Sequence, residues 1–304
     1  MRSGWDSRHR AGIRPRQALK LAGLLVGLAG LALALIATPA GAAVAIGQTS
    51  PAGEGCEGPA DVLQPTVTSG SSYLVPVAGT ITSWSHEASA SENQLVRMKI
   101  FRKLAEPSTY EVVGHDGPRS PVPSSLNTYE TSIDVLPGDV LGLTPLTASA
   151  GESVACVFDA PGETQLRLFD SDLADGESAA FPESADHRLN ASALVEPDNG
   201  FAITKKKRKK QRGTAVLTVD VPNPGELALS RRGVKKAAAN RAGTAKTVLA
   251  AGSVKLKVKA KGKKKKRLKR TGKVKVKPKL TYTPDFGESN RTSIKLNLKR
   301  KRKR

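Results

Sequence analysis

The chain has 304 residues, 38% of them hydrophobic and 4% aromatic, with a formal net charge of +22. This length accommodates more than one folded core, and the hydrophobic share argues against a wholly disordered chain. Two cysteines exclude a disulfide-dense scaffold, and four histidines leave little material for a histidine-rich metal site.

Residues 1–42 read as a secretory signal. Arg2, Arg8, Arg10, Arg14, Arg16 and Lys20 form a basic head opposed only by Asp6. Leu21 to Ala37 is then 17 residues without a charge, and "TPAGAA" follows, with Ala40 and Ala42 at signal-peptidase spacing. Cleavage is expected after Ala42 or Ala43. A retained anchor is the alternative, although 17 residues stand at the lower limit for a membrane span. The expected location is outside the cell or on its surface.

Cys56 and Cys156 both fall in the presumed mature chain. An oxidising compartment permits a bond between them, and that bond would staple the first and last strands of a domain over 50–165. No CxxC spacing occurs, which argues against a redox motif or a zinc site.

Charge divides the chain. Residues 43–200 hold seven Lys/Arg against 22 Asp/Glu, and residues 201–304 hold 36 against four. A domain boundary near 200 follows. In the acidic part, "YLVPVAGTITSWSHEA" gives extended residues around Tyr73 and a strand from Thr80 to Ser85. "NQLVRMKIFRKL" sets Val96, Met98 and Ile100 against Leu95, Arg97, Lys99 and Phe101, the pattern of a half-buried strand. Further strands fall at Tyr110–Val113, around Ile133 and Val135, from Val140, and in "ESVACVFDA" and "TQLRLFD". Many short strands punctuated by Gly and Pro indicate a sandwich or barrel. Residues 166–200, rich in Asp, Glu, Ser, Ala and Pro, read as an acidic linker or surface excursion.

The basic part alternates strictly. Leu217, Val219 and Val221 oppose Val216, Thr218 and Asp220. Val254, Leu256 and Val258 oppose Lys255, Lys257 and Lys259. Val274 and Val276 oppose Lys273, Lys275 and Lys277, and Ile294, Leu296 and Leu298 oppose Lys295, Asn297 and Lys299. A period of two with one apolar row is a sheet packed on one face. Lysine stems tolerate the wet face, and lysines on edges discourage edge-to-edge pairing. The stretch 261–270 is expected to contain a turn, and 231–243 a loop or short helix. Six or seven such strands suit a sandwich of about a hundred residues.

"GTAVLTVDVPNPGELALSRRGVK", "AGSVKLKVKAKGKKKKRLKRTGKVKVKPKLTYTP" and a basic last strand together resemble an immunoglobulin-like C-terminal module of exported actinobacterial proteins. "YLVPVAGTITSWS", "VRMKIFR" and "YETSIDVLPGDVLGL" resemble the β-sandwich domain that precedes it. The resemblance implies an all-β chain: a jelly-roll-like β-sandwich, then an immunoglobulin-like one over 201–304, both after a signal helix. It transfers no catalytic residue.

Chemistry is sparse. His86, His115 and His187 lack a His, Cys or carboxylate partner at zinc spacing, and "HEASASE" lacks the second histidine of HExxH. Asp170, Asp172, Asp175 and Glu177 are oxygen-rich, but the glycine and final glutamate of an EF-hand loop are missing, so a solvated acidic loop is expected. "KGKKKK" lacks the phosphate-loop pattern. No catalytic residue, cofactor or metal is therefore expected.

Binding is the better reading. The candidate polyanion-binding residues are Lys205, Lys206, Lys207, Arg208, Lys209 and Lys210, then Lys255, Lys257 and Lys259, then Lys263, Lys264, Lys265 and Lys266, and finally Lys273, Lys275 and Lys277. Basic rows attract polyanions through counterion release. Export directs the expectation to an anionic envelope polymer or acidic polysaccharide. Membrane contact would be limited to the signal segment or anionic headgroups. Nucleic acid is not expected as the physiological partner, because stacking aromatics are few, although a secreted polyanion or nucleic-acid binder stands as an alternative. A carbohydrate-binding module is the other, with Trp84, Tyr73 and Tyr129 as its platform. Charge that serves only solubility and edge protection is the plainest reading.

Overall fold

A computed structural model describes residues 43–301 except 52, 57, 147–152, 236–244 and 249. The expected signal segment and most of the 231–243 crossing lie outside the described residues. The described chain is all-β with one short helix.

In the acidic half the strands are β1 (Val44–Gln48), β2 (Glu54–Cys56), β3 (Ala60–Leu63), β4 (Gly79–Glu87), β5 (Val96–Lys103) and β6 (Thr109–Arg119). They continue as β7 (Leu126–Val135), β8 (Val140–Pro145), β9 (Val154–Phe169), β10 (Ser178–Ala180), β11 (Glu183–Leu189) and β12 (Ala191–Pro197). One sheet has the order β1-β12-β4-β7. The other, eight-stranded, runs β10-β6-β5-β8-β3-β9-β11, with β2 also on β9. Ile46, Ile81, Trp84 and Val195 from the first sheet share one core with Val62, Met98, Ile100, Leu143 and Val157 from the second.

Four expectations change or gain detail here. Residues 166–200 are not a linker. They complete β9, supply β10 and β11, and place β12 between β1 and β4. Two of their carboxylates meet basic groups far away in sequence, Asp172 with Arg97 and Lys99 and Asp175 with His115. Second, the two strands expected in "ESVACVFDA" and "TQLRLFD" are one continuous strand, β9. Third, Cys56 and Cys156 are bonded, with Cα atoms 5.7 Å apart, and they link β2 and β9, the first and last strands of 50–165 as expected; the acidic half itself extends further, from β1 to β12, and β2 and β9 are paired neighbours in one sheet. Such a bond persists in an oxidising compartment.

Fourth, β5 is covered on both faces. Phe101 joins Leu63, Tyr110, Val112, Val140 and Phe181 in a second core on the outer side of the eight-stranded sheet. Residues 168–181 fold over that side, with Phe181 edge-on to Phe101 and Tyr110 at 5.5 and 6.0 Å. The same cover buries Lys99 completely. Its ammonium donates to Asp61 Oδ1 at 2.7 Å and to the Leu173 carbonyl at 2.8 Å, and it meets Asp172 Oδ1 at 2.8 Å. Asp61, equally buried, also accepts from Thr144 Oγ1, Ser171 Oγ and the Leu173 amide. A buried charge needs this kind of saturation.

The basic half holds β13 (Ala202–Lys209), β14 (Thr214–Val221), β15 (Gly225–Ser230), β16 (Ala245–Val248) and β17 (Gly252–Lys259). After α1 (Gly262–Thr271) come β18 (Lys273–Val276), β19 (Lys279–Pro284), β20 (Asn290–Ser293) and β21 (Leu296–Lys299). The sheets are β13-β14-β17, β16-β15-β19-β20 and β18-β21. The expected alternation holds: Leu217, Val219, Val254, Leu256, Val258, Val274, Val276, Leu296 and Leu298 are buried in one core. Among the described residues the strands number nine, where six or seven were expected.

The expected turn at 261–270 is a helix. Lysine and arginine form helices readily despite mutual repulsion. Leu268 anchors α1 in the core, Lys269 and Arg270 suit the negative end of its dipole, and Gly272 closes it at φ 69°. Gly213, at φ 64°, turns β13 into β14 where a Cβ would stand 3.0 Å from Leu268 Cδ2.

The two halves belong to one compact unit. Buried Asn223 ties them. Its Oδ1 accepts from the Ala78 amide at 2.7 Å, and its Nδ2 donates to the carbonyls of Ala78 and Asp198 at 2.8 and 2.9 Å. The Tyr282 hydroxyl donates to the Asn223 carbonyl and accepts from its amide. Burial pushes the Tyr282 phenol up to about 12.

Candidate polyanion-binding surface

The β13-β14-β17 sheet builds a lysine grid. Lys205, Thr218 and Lys255 share one cross-strand row. Lys207, Val216 and Lys257 form the next, and Lys209, Thr214 and Lys259 the third. Strand spacing separates the flanking lysines of a row by about 10 Å, and successive rows lie about 7 Å apart. These side chains share the face opposite the Leu217–Leu256 core row. Lys257 is held below the usual lysine range by the charge of Lys259, by desolvation, and by Arg212 and Lys209. The cations of this face therefore repel one another. Lys206 and Arg208 project from the other face of edge strand β13 and are exposed as well.

A second cationic row runs along β18 and just past it, where Lys273, Lys275 and Lys277 are exposed. Lys273 stands directly opposite Lys299 of β21. Like charges in that position are destabilising, and an anion would relieve them. Lys263 to Lys266 occupy the exposed side of α1. Chain folding brings these groups together: the Lys301 amide donates to the Lys210 carbonyl, and the Arg300 amide to that of Gly272. One concavity there is lined by Lys210, Lys273, Lys299, Arg300 and Lys301. Another, of about 470 Å³, collects Arg231, Arg232, Lys264, Lys275, Lys277 and Lys295. A third lies between α1 and the end of the lysine grid. Arg231, Arg232, Lys235, Lys261 and Lys269 were not legible as site residues, because the loops and helix that carry them have no strand period. With 36 cations and four carboxylates in this half, pairing within it leaves most of the charge uncompensated.

The expected glycan platform is overturned. A sugar stacks on an open aromatic face, yet Trp84 and Tyr73 are each 1% exposed. Trp84 packs on half-buried Tyr129, ring centres 4.8 Å apart, and donates to Asp116 Oδ2 at 2.7 Å. Burial raises the Asp116 carboxyl, but hydrogen bonds from Arg119 and Trp84 outweigh it and leave the carboxyl low. The Tyr73 hydroxyl donates to the Leu189 carbonyl. All three aromatics serve the core.

The histidines find carboxylates that sequence spacing does not show. His115 Nδ1 meets Asp175 Oδ1 at 2.7 Å, and His187 Nε2 meets Glu54 Oε2 at 3.1 Å. Glu54, Asp159 and His187, from adjacent strands β2, β9 and β11, hold their ligand atoms within 4.8 Å of one another and are the residues that could hold a divalent ion. His86 is buried with Nδ1 on the Asn190 carbonyl, and burial lowers its pKa. The acidic run is exposed, as expected of a solvated loop, yet three of its carboxylates also find partners: Asp172 meets Arg97 and Lys99, Asp175 meets His115, and Glu177 accepts from the Ala174 amide.

No helix among the described residues is long and apolar enough to cross a membrane. Compared with protein-family models, curated proteins and solved structures, the chain matches none.

Proposed function

We propose that this chain is exported and acts as a non-enzymatic structural or binding protein of the cell envelope, adhering to anionic polymers through its basic half. We further propose a jelly-roll-like sandwich followed by an immunoglobulin-like one. Supporting that arrangement, the strands of each half surround their own apolar core. The observation that carries the function is the lysine grid of β13 and β17, a regular array of exposed and half-buried cations without matching carboxylates in its own half. Solubility alone would not require cations so crowded that one depresses its neighbour. An acidic polysaccharide or an envelope polymer fits better than single-stranded nucleic acid. In the basic half Tyr282 is buried, and Phe286 is the large exposed aromatic among the described residues.

Two measurements test this. Protein recovered from medium or envelope should begin at Ala43 or Val44; recovery only from cytosol with Met1 retained would sink the export reading. The purified mature chain should bind immobilised acidic polysaccharide, a polyol-phosphate polymer and anionic vesicles at 0.05–0.15 M salt, conditions in which surface charges still act over about 8–14 Å. Failure on every polyanion would remove the adhesion reading.

A further inference from the structure

The cleft between α1 and the end of the lysine grid is a distinct feature. It encloses about 480 Å³ and is walled by Arg212, Lys235, Lys259, Lys265, Lys269 and Arg300. Among the described residues, no carboxylate lines it. Its floor includes Thr214, which is 8% exposed and whose hydroxyl oxygen is buried without a hydrogen-bond partner. Buried hydroxyls nearly always find a partner. An unpaired one in a cationic cleft marks a place where a ligand oxygen belongs.

We propose that this cleft seats adjacent phosphate groups of a phosphate-bearing polymer, with Thr214 hydrogen-bonding one of their oxygens. The proposal rests on the adhesion reading and narrows it to one chemistry. Seven cations around one cleft, Lys261 being the seventh, call for a ligand of high charge density. A carboxylate brings one charge and two oxygens, whereas linked phosphates bring a charge at each unit and more acceptors. The guanidinium forks of Arg212 and Arg300 suit paired phosphate oxygens. Lys259 and Arg212 also crowd Lys257, as its lowered pKa reflects, so a bound anion relieves a repulsion already present in the fold.

The test uses the whole mature chain and three probes in calorimetry at 0.15 M salt: tripolyphosphate, a polyol-phosphate polymer, and citrate as a carboxylate of comparable charge. Tripolyphosphate should bind one to one, at least tenfold tighter than citrate. Arg212 and Lys269 are exposed, so R212Q/K269Q should keep its fold, checked by its melting curve, and should weaken tripolyphosphate at least tenfold. T214V should weaken it several-fold. K205Q/K207Q, on the open grid, should change it less than twofold. The polyol-phosphate polymer should be weakened by both double variants, because it reaches cleft and grid together. Equal affinity for citrate and tripolyphosphate, or tripolyphosphate binding unchanged by R212Q/K269Q, would overturn the proposal. If polymers still bind in that case, adhesion stands without a phosphate seat; if no polyanion binds at all, both readings fall.

Discussion

Replacing Lys205, Lys207 and Lys255 by glutamine removes half of the grid's six lysines. A flexible polyanion that contacts all six releases its counterions with a slope of log affinity against log salt of about −0.7 per contact, hence about −4 in total. Raising salt from 50 to 200 mM should then cost roughly 300-fold in affinity through the grid's contacts in the wild-type chain and roughly 20-fold through those left in the triple variant, so the overall slope should shrink by about 2. The side chains are exposed and outside the core, so the melting temperature should stay within a few degrees. Fluorescence anisotropy of a labelled polyol-phosphate polymer across a salt series reads both quantities. An identical slope in variant and wild type would show that the grid does not touch the polymer. A slope near zero in the wild type would show that charge does not drive binding at all.

Three further outcomes are expected. Lys99→Met should destabilise the fold by about 3–5 kcal/mol in urea unfolding, because it strands the buried Asp61 charge; a change below about 0.5 kcal/mol would mean that this site is wetter than the structure has it. Tyr282 titrates near 12 when folded and near 10 when unfolded, so its contribution is complete below pH 10 and is lost as pH rises toward 12, by about 2–3 kcal/mol. Tyr282→Phe should flatten that loss while lowering stability at pH 8, through the lost bonds to Asn223; an unchanged alkaline profile would refute the assignment. Cys56→Ser/Cys156→Ser should cost about 4 kcal/mol if chain entropy dominates, and the native protein should resist alkylation at both positions; free thiols in exported protein would contradict the bond.

The strands were legible wherever one face is wet. Val254, Leu256 and Val258 alternate with lysine because water lies on one side, and the period of two survives in the sequence. It fails at β5, where Lys99 sits in the row that reads as solvent-facing. Nothing near Lys99 in sequence announces Asp61 or the cover at 168–181. The acidic run 166–200 misleads for the same reason, since the partners of its carboxylates, Arg97, Lys99 and His115, lie more than fifty residues away. Helix α1 offers only Leu268 to the core, so no apolar stripe reveals it. The lysines of the site could be named from sequence, but their assembly into a grid and a cleft depends on register and on Thr214, an ordinary threonine until the fold buries it.

Asn223 has a consequence beyond joining two cores. By bonding the backbone at Ala78 and Asp198, it holds a half of net charge −15 beside one of +32 and denies them the freedom to fold onto one another. The protein is thus a permanent electric dipole as well as a polycation. Beside a negatively charged surface such a dipole would feel a torque before any contact, turning its C-terminal half toward that surface. A layer of such molecules would offset that surface's charge, because each is net positive, while leaving the acidic half as the less attracted end.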